Sequence, residues 1–132
     1  LVRYRGLGDV YKRQECTLRD GHILESSVCR LELSPIVAEA LKNKTADSEV
    51  VLGVRPEDVL LSDKQEPNAI PADVYVYEPL GSEVIADLKV GEQLIKAKTS
   101  PDFPLKIGEK VWLSLRQEAI HIFDKKSEEA LL

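Results

Sequence analysis

The sequence predicts an all-β protein, a small barrel or sandwich that carries one short helix. Apolar and polar residues alternate in several runs of about four to eight, which is the period of a half-buried strand. Turn residues recur between these runs, as at Asp20-Gly21 and Gly91-Glu92. Only one segment shows helical spacing. About seven or eight short strands at such close spacing are typical of a small antiparallel barrel or sandwich.

In the first half of the chain, Asp20-Gly21 predicts a hairpin turn between two short strands. A further half-buried strand follows, because apolar residues occupy alternate positions at Cys29, Leu31 and Leu33. Residues 50–54 predict another strand, which stops at Arg55-Pro56 because proline cannot donate to a ladder.

The one predicted helix covers about residues 35–43. Ser34 can cap the free N–H groups at a helix start, and Pro35 suits the first helical position. One helical face is apolar and comprises Ile36, Val37, Ala40 and Leu41.

The second half predicts a short turn or strand at 57–61 and then five more strands, separated by polar or glycine-containing turns. Val59, Leu60 and Leu61 are predicted to be buried in the segment at 57–61. In the later strands alternation assigns the inward positions, which are Ile70, Ala72, Val74, Val76, Val84, Ala86, Leu88, Val90, Val111, Leu113 and Leu115.

The composition narrows the possible functions. The chain has 132 residues, of which 43% are hydrophobic, enough for one domain with a core. A net charge of −5 and 5% aromatic residues argue against a nucleic-acid-binding protein, whose surface is basic. No apolar run approaches the ~18 residues of a membrane span. We interpret Cys16 and Cys29 as reduced thiols, because no histidine pair accompanies them as a zinc site requires.

Residues 1–14 differ from the rest of the chain. They are basic, whereas the remainder is acidic, and they show no period. They resemble translated sequencing-adapter read-through, and the alternative is a genuine mobile terminal arm. We therefore expect a non-native or disordered leader at 1–14, a β-domain at 15–124 and a polar tail at 125–132.

No catalytic, cofactor-binding or metal-binding residues are predicted. The sequence contains neither a phosphate-binding Gly-x-x-x-x-Gly-Lys-Ser/Thr loop nor a Gly-x-Ser-x-Gly nucleophile elbow. His22 and His121 are far apart in sequence, and we interpret both as surface or edge side chains.

Two turns are candidates for recognition. At Arg55-Pro56-Glu57 the charges either form a local salt bridge or contact another domain or subunit, since arginine suits carboxylates and backbone oxygens. At the second turn Gly81 is expected to supply a positive φ. The residues around it, which either shape the turn or hold a cation or polyol, are Glu78, Ser82 and Glu83.

Three aromatic residues are predicted to point outward from their strands. Tyr75, Tyr77 and Trp112 each alternate with inward aliphatic positions. Outward aromatic residues on strands often mark a contact surface, and packing against a second layer is the alternative.

Several phrases, in order, resemble one known family. They are Gly53-Val54-Arg55-Pro56-Glu57, Glu78-Pro79-Leu80-Gly81-Ser82-Glu83, Val111-Trp112-Leu113-Ser114-Leu115 and His121-Ile122-Phe123-Asp124. The chain resembles the C-terminal regulatory domain, often called TOBE, of the ATP-binding subunits of carbohydrate ABC importers. The resemblance covers about 15–124 and implies an OB-type antiparallel β-barrel.

The resemblance also implies a function. Such a domain regulates the ATP-hydrolysing subunit and pairs with its twin in a homodimer, and in some members it binds an inhibitory protein. ATP and Mg²⁺ belong to a nucleotide-binding domain that this sequence lacks, so no catalytic residue carries over and no enzyme activity is expected. Through that domain the subunit contacts membrane permease subunits at the cytoplasmic face of the membrane.

Two other functions fit a small barrel. One is a module that binds an oxyanion or a sugar, since related barrels bind molybdate or tungstate. Its suggestive residues are Ser82, Lys96, Lys98 and Thr99. The other is a single-strand nucleic-acid barrel, which the negative charge and few aromatic residues disfavour.

Overall fold

The computed structural model describes residues 12–27, 30–42, 44 and 48–132. These residues form ten strands and one α-helix, which confirms the predicted all-β class. The strands make two five-stranded antiparallel sheets. The chain divides into two compact units, of which one combines Leu1–Val54 with Gln117–Leu132 and the other is Arg55–Arg116.

The first unit holds one sheet and the helix. Its strand order is β10-β4-β1-β2-β3. The elements are β1 (Lys12–Arg19), β2 (Ile23–Glu25), β3 (Arg30–Glu32), α1 (Pro35–Leu41), β4 (Glu49–Val54) and β10 (His121–Asp124). The predicted Asp20-Gly21 turn lies between β1 and β2. Leu24, Val50, Ile122 and Phe123 are fully buried in this unit.

Helix α1 begins as its sequence predicts. The Ser34 Oγ accepts a hydrogen bond from the Val37 N–H at 3.3 Å, and Pro35 is in the first turn. Val37 and Leu41 are buried, whereas Ile36 is 84% exposed. The helix ends at Leu41, two residues before the predicted end, because Lys42 leaves the helical conformation, with φ −57° and ψ 129°.

Both ends of the described chain make backbone hydrogen bonds with strands of the first unit. Of the predicted leader, residues 1–11 lie outside the described residues, but Lys12 already pairs with Val54 in the β1–β4 ladder. The predicted polar tail folds back on β10. There the Leu131 N–H donates to the Ile122 carbonyl at 2.7 Å, and Leu131 is buried. Such pairing does not depend on which side chains are present, because it uses backbone N–H and C=O groups that nearly every residue has.

The second unit is a single curled sheet. It comprises β5 (Val59–Ser62), β6 (Ile70–Pro79), β7 (Val84–Val90), β8 (Gln93–Thr99) and β9 (Lys110–Leu115), in the order β5-β9-β6-β7-β8. The edge strands β5 and β8 lie beside each other, so the sheet curls towards a barrel. Its interior is aliphatic, with Val59, Val74, Ala86, Leu88, Ala97 and Leu113 nearly or fully buried.

One predicted inward position is wrong because of a β-bulge. Val74 lies opposite Leu88, but Val76 lies opposite Asp87, so Tyr75 is the extra residue of β6. The bulge shifts the alternation by one, and Val76 is 43% exposed. The predicted burial of Leu60 is also wrong, since it is 40% exposed on the face opposite to the buried Val59.

Candidate interaction surface

All ten sequence-predicted recognition residues lie in the second unit, in three separate places. One place is the turn at Arg55–Glu57, another is the β6–β7 hairpin and the third is Trp112 on β9.

The first place is a 3-10 turn, Pro56–Asp58, at the start of the unit. Arg55 precedes it in extended conformation, and the Asp58 N–H donates to the Arg55 carbonyl at 2.9 Å. Arg55 and Glu57 are exposed. Asp58, the last residue of this turn, forms an ion pair in which its Oδ1 lies 3.4 Å from Arg116 Nε.

Sequence reasoning missed Asp58 and Arg116. In addition to the ion pair, the Arg116 N–H donates to the Asp58 carbonyl at 2.9 Å. Arg55 and Arg116 are the first and last residues of this unit. The contacts between Asp58 and Arg116 therefore connect the beginning of the unit to its end. The only signal for Asp58 was an acidic residue just inside a proline-initiated turn, and nothing in the sequence pointed to its partner 58 residues later.

The second place is the β6–β7 hairpin, where the turn-forming interpretation fits the geometry. Gly81 has φ +82°, a conformation that side chains with a Cβ rarely adopt. The Leu80 N–H donates to the Glu83 carbonyl at 2.8 Å and closes the turn. Pro79 pairs with Val84 on either side of it, and Ser82 is exposed at the tip.

The hairpin continues into a row of residues on one face of the sheet. Glu78 lies opposite Ile85, which lies opposite Lys98 on β8. In the next row Val76, Asp87 and Lys96 are partners, and Lys96 Nζ is 2.8 Å from Asp87 Oδ1. Cross-strand partners point to the same face of a sheet. We call these six residues the hairpin face: Val76, Glu78, Ile85, Asp87, Lys96 and Lys98.

Both hairpin tyrosines are exposed, although the register of Tyr77 does not match its predicted outward position. Tyr75 is 53% exposed at the bulge, and Tyr77 is 40% exposed. Tyr77 lies opposite the buried Ala86, so it belongs to the inward face and is open because it is near the end of the hairpin. The turn residue Leu80 is 49% exposed as well. The hairpin therefore combines exposed aromatic, aliphatic and charged side chains.

The third place, Trp112, lies on β9 and is not part of the hairpin. It is half-buried, opposite Ser62 on β5 and Pro71 on β6. The Lys110 Nζ is 6.0 Å from its ring centroid, within the range of a cation–π contact. The ring is thus already partly covered within its own sheet.

In the first unit, a polar groove runs along β1. Its charges pair with one another, since Arg19 Nε is 2.6 Å from Glu25 Oε1 and Lys125 Nζ is 3.2 Å from Glu15 Oε1. Thr17 Oγ1 donates to the Glu49 carboxylate at 3.1 Å. The charged side chains that line the groove are thus held by one another.

Both histidines make contacts with nearby residues of the first unit. His22 Nδ1 lies 3.0 Å from the Asp20 carbonyl, and His121 stacks on Phe123 with 6.2 Å between ring centroids. Among the described residues, no group of three or more His, Cys, Asp and Glu side chains is arranged to hold a metal ion. Within that same part of the chain, no helix has the length and apolar character to cross a membrane.

A solved structure shares this architecture. The chain is similar to a protein titled as the cytoplasmic molybdate-binding protein ModG, in a form with molybdate bound. The similarity covers 84% of this chain and 94% of that one, with a TM-score of 0.60 and 16% sequence identity. At this identity the likeness concerns the fold alone, and it confirms the predicted OB-type β-architecture.

The chain is also similar in sequence to known proteins. Multiple sugar-binding transport ATP-binding protein MsmK of Streptococcus mutans is 32% identical over 126 residues, 89% of this chain and 32% of that protein. The sn-glycerol-3-phosphate import ATP-binding protein UgpC of Pectobacterium atrosepticum is 32% identical over 102 residues, 75% of this chain and 28% of that protein. The chain thus spans a third or less of these relatives' length. The family model of the TOBE domain matches residues 52–123, and the chain belongs to the TOBE domain family.

Proposed function

We propose that this chain is the regulatory and dimerisation domain of the ATP-hydrolysing subunit of a transporter that imports sugars or related solutes. The observation that carries the proposal is the TOBE match over 52–123, combined with similarity to ATP-binding proteins named for sugar and glycerol-3-phosphate transport. Because the chain spans at most about a third of these relatives, ATP and Mg²⁺ are assigned to a nucleotide-binding domain outside this sequence.

In this proposal the chain acts by binding other protein surfaces. Its partners are a second copy of itself and, through the nucleotide-binding domain, the membrane permease subunits. An inhibitory protein is a further partner, and the complex lies at the cytoplasmic face of the membrane. The exposed Tyr75, Tyr77 and Leu80 support a contact role, since aromatic residues are enriched at protein interfaces. The net charge of −5 supports the expectation that nucleic acid is not a partner.

A domain exchange tests the function. The region of a sugar-importer ATPase such as MsmK that aligns with this chain is replaced by residues 12–132, and the hybrid subunit is reconstituted with its permease. We expect the hybrid to keep solute-stimulated ATP hydrolysis, measured as phosphate release. The control is the same subunit with the region deleted. A hybrid that is indistinguishable from the deletion would contradict the proposal.

A second candidate function is the binding of a small oxyanion or a sugar, favoured by the fold shared with a molybdate-binding protein. Of the four residues suggested for it, Lys96 is already paired with Asp87 at 2.8 Å, whereas Lys98 and Thr99 lie opposite Ile85 and Val84 on β7. Titration with molybdate, followed by calorimetry and melting temperature, tests this candidate. Unchanged heat and melting temperature would remove it.

A further inference from the structure

We propose that the hairpin face is a two-fold self-pairing surface, in which Glu78 of one copy forms an ion pair with Lys98 of a second copy. This inference rests on the proposed dimerisation function and adds to it the surface and the charge pair that set its geometry.

The order of residues across the face is the main argument. Glu78 on β6, Ile85 on β7 and Lys98 on β8 are successive cross-strand partners. Neighbouring strands are about 4.8 Å apart, so the acid and the base flank Ile85 at similar distances on opposite sides. Glu78 and Lys98 are exposed, and Ile85 is half-buried between them. The row therefore has an apolar centre with opposite charges at its two ends.

Such a row is self-complementary. A two-fold axis that runs parallel to β7, in the plane between two facing copies and above Ile85, exchanges the positions of β6 and β8. Glu78 of each copy then faces Lys98 of the other, and the two Ile85 side chains meet at the axis. A two-fold interface uses the same patch on both subunits, so one favourable pair occurs twice. An axis perpendicular to the strands would instead place Glu78 opposite Glu78, which is repulsive.

The charges needed for this pairing are available. No ion pair involving Glu78 or Lys98 is found among the described residues, whereas Lys96 in the adjacent row is held by Asp87 at 2.8 Å. Asp87 lies near the proposed axis, where it would meet its own copy, and its pairing with Lys96 reduces that repulsion. The exposed Val76 adds apolar area beside Ile85.

Charge exchange tests the pairing directly. The 132-residue chain is studied by sedimentation equilibrium over a concentration series, as wild type, Glu78→Lys, Lys98→Glu and the double variant. We expect the wild type to form a dimer. Each single exchange should weaken dimerisation at least about tenfold, because it places like charges opposite each other twice. The double exchange should restore the wild-type constant to within about threefold, since the pair is reversed but intact.

Matched controls use exposed loop charges of the same unit, away from the hairpin face. Glu66→Lys and Lys64→Glu make the same changes of net charge and should leave dimerisation within about twofold of the wild type. Circular dichroism of each variant establishes that it is folded.

Three results would overturn the inference. The first is a wild-type chain that stays monomeric throughout, the second is single exchanges that behave like the loop controls, and the third is a double exchange that is not restored. If the chain dimerises but the charge exchanges leave its dimerisation constant unchanged, the hairpin face is refuted as the contact surface and the proposed function still stands. Failure of the domain-exchange hybrid refutes the function whatever the sedimentation shows.

Discussion

Individual residues at the turns decide where the strands of this protein reverse. The phrase Pro79-Leu80-Gly81 predicted a turn that needs positive φ, and Gly81 adopts φ +82°. The ion pair between Asp58 and Arg116 was not predictable in this way, because it joins residues far apart in sequence that form no local pattern. Turn chemistry is visible in a sequence since it depends on adjacent residues, whereas a distant partner is not.

Replacing Gly81 with alanine should destabilise the chain through backbone conformation. A Cβ at this position meets nothing within 4 Å, so steric collision with neighbours does not contribute. The left-handed conformation alone should cost about 1 kcal/mol in the free energy of unfolding. Gly81→Asn should cost less, because asparagine tolerates this region better. Urea unfolding measures both, with Ser82→Ala as the neighbouring control, and equal stabilities for Gly81→Ala and wild type would contradict the prediction.

Asp124 should make stability depend on acid pH. The Ser127 N–H donates to Asp124 Oδ2 at 2.7 Å, and this hydrogen bond is the main reason that the pKa of Asp124 lies below its ordinary value of 3.8. A carboxyl group whose pKa is lower in the folded state contributes stability above its unfolded pKa, and the contribution is lost as pH falls through the folded pKa.

Comparison of Asp124→Asn with wild type tests this dependence. In urea unfolding at neutral pH the variant should be less stable, and the difference should shrink progressively below pH 3.8. Asp63→Asn, in the exposed loop before β6, removes the same charge and is the matched control. A difference between Asp124→Asn and wild type that stays constant over this pH range would refute the assignment.

At the level of elements, alternation located the strands correctly but not every face. The bulge at Tyr75 reverses the alternation within β6 and exposes Val76. A bulge depends on how two strands pair, so the sequence of one strand does not reveal it. Helix α1, by contrast, was predictable because Ser34, Pro35 and the apolar positions all act within a few residues.

Gln117 joins distant elements of the first unit and should matter for stability. Its Oε1 accepts from the Ser34 N–H at 2.6 Å, and its Nε2 donates to the Glu32 carbonyl at 2.9 Å. Gln117→Ala should cost about 1 kcal/mol of unfolding free energy, because the partly buried Ser34 N–H and the exposed Glu32 carbonyl both lose this partner. Gln117→Glu should be destabilising too, since a carboxylate keeps the acceptor but cannot donate to Glu32.

Thermal and urea unfolding measure the two Gln117 variants. Gln65→Ala, an exposed glutamine of the β5–β6 loop, is the control and should stay within about 0.5 kcal/mol of the wild type. A Gln117→Ala variant as stable as the control would show that the two Gln117 hydrogen bonds do not contribute to the free energy of unfolding.

For the whole molecule, the proposed function predicts that the chain alone does not hydrolyse ATP. The sequence lacks a phosphate-binding loop, and the chain spans a third or less of relatives named as ATP-binding proteins. Phosphate release by the purified 132-residue chain with ATP and Mg²⁺ should equal that of a buffer blank. Turnover that rises in proportion to the concentration of the chain, in a preparation free of other ATPases, would contradict this.

The sequence by itself determined the all-β class, helix α1, the turn at Gly81 and the resemblance to the TOBE family, because each depends on neighbouring residues or on short ordered phrases. The tertiary structure decided the Asp58–Arg116 ion pair, the Gln117 bridge, the β6 bulge and the row from Glu78 to Lys98. These features depend on strand register and on contacts between residues far apart in the chain. Only folding brings such residues together, so local periodicity does not encode them.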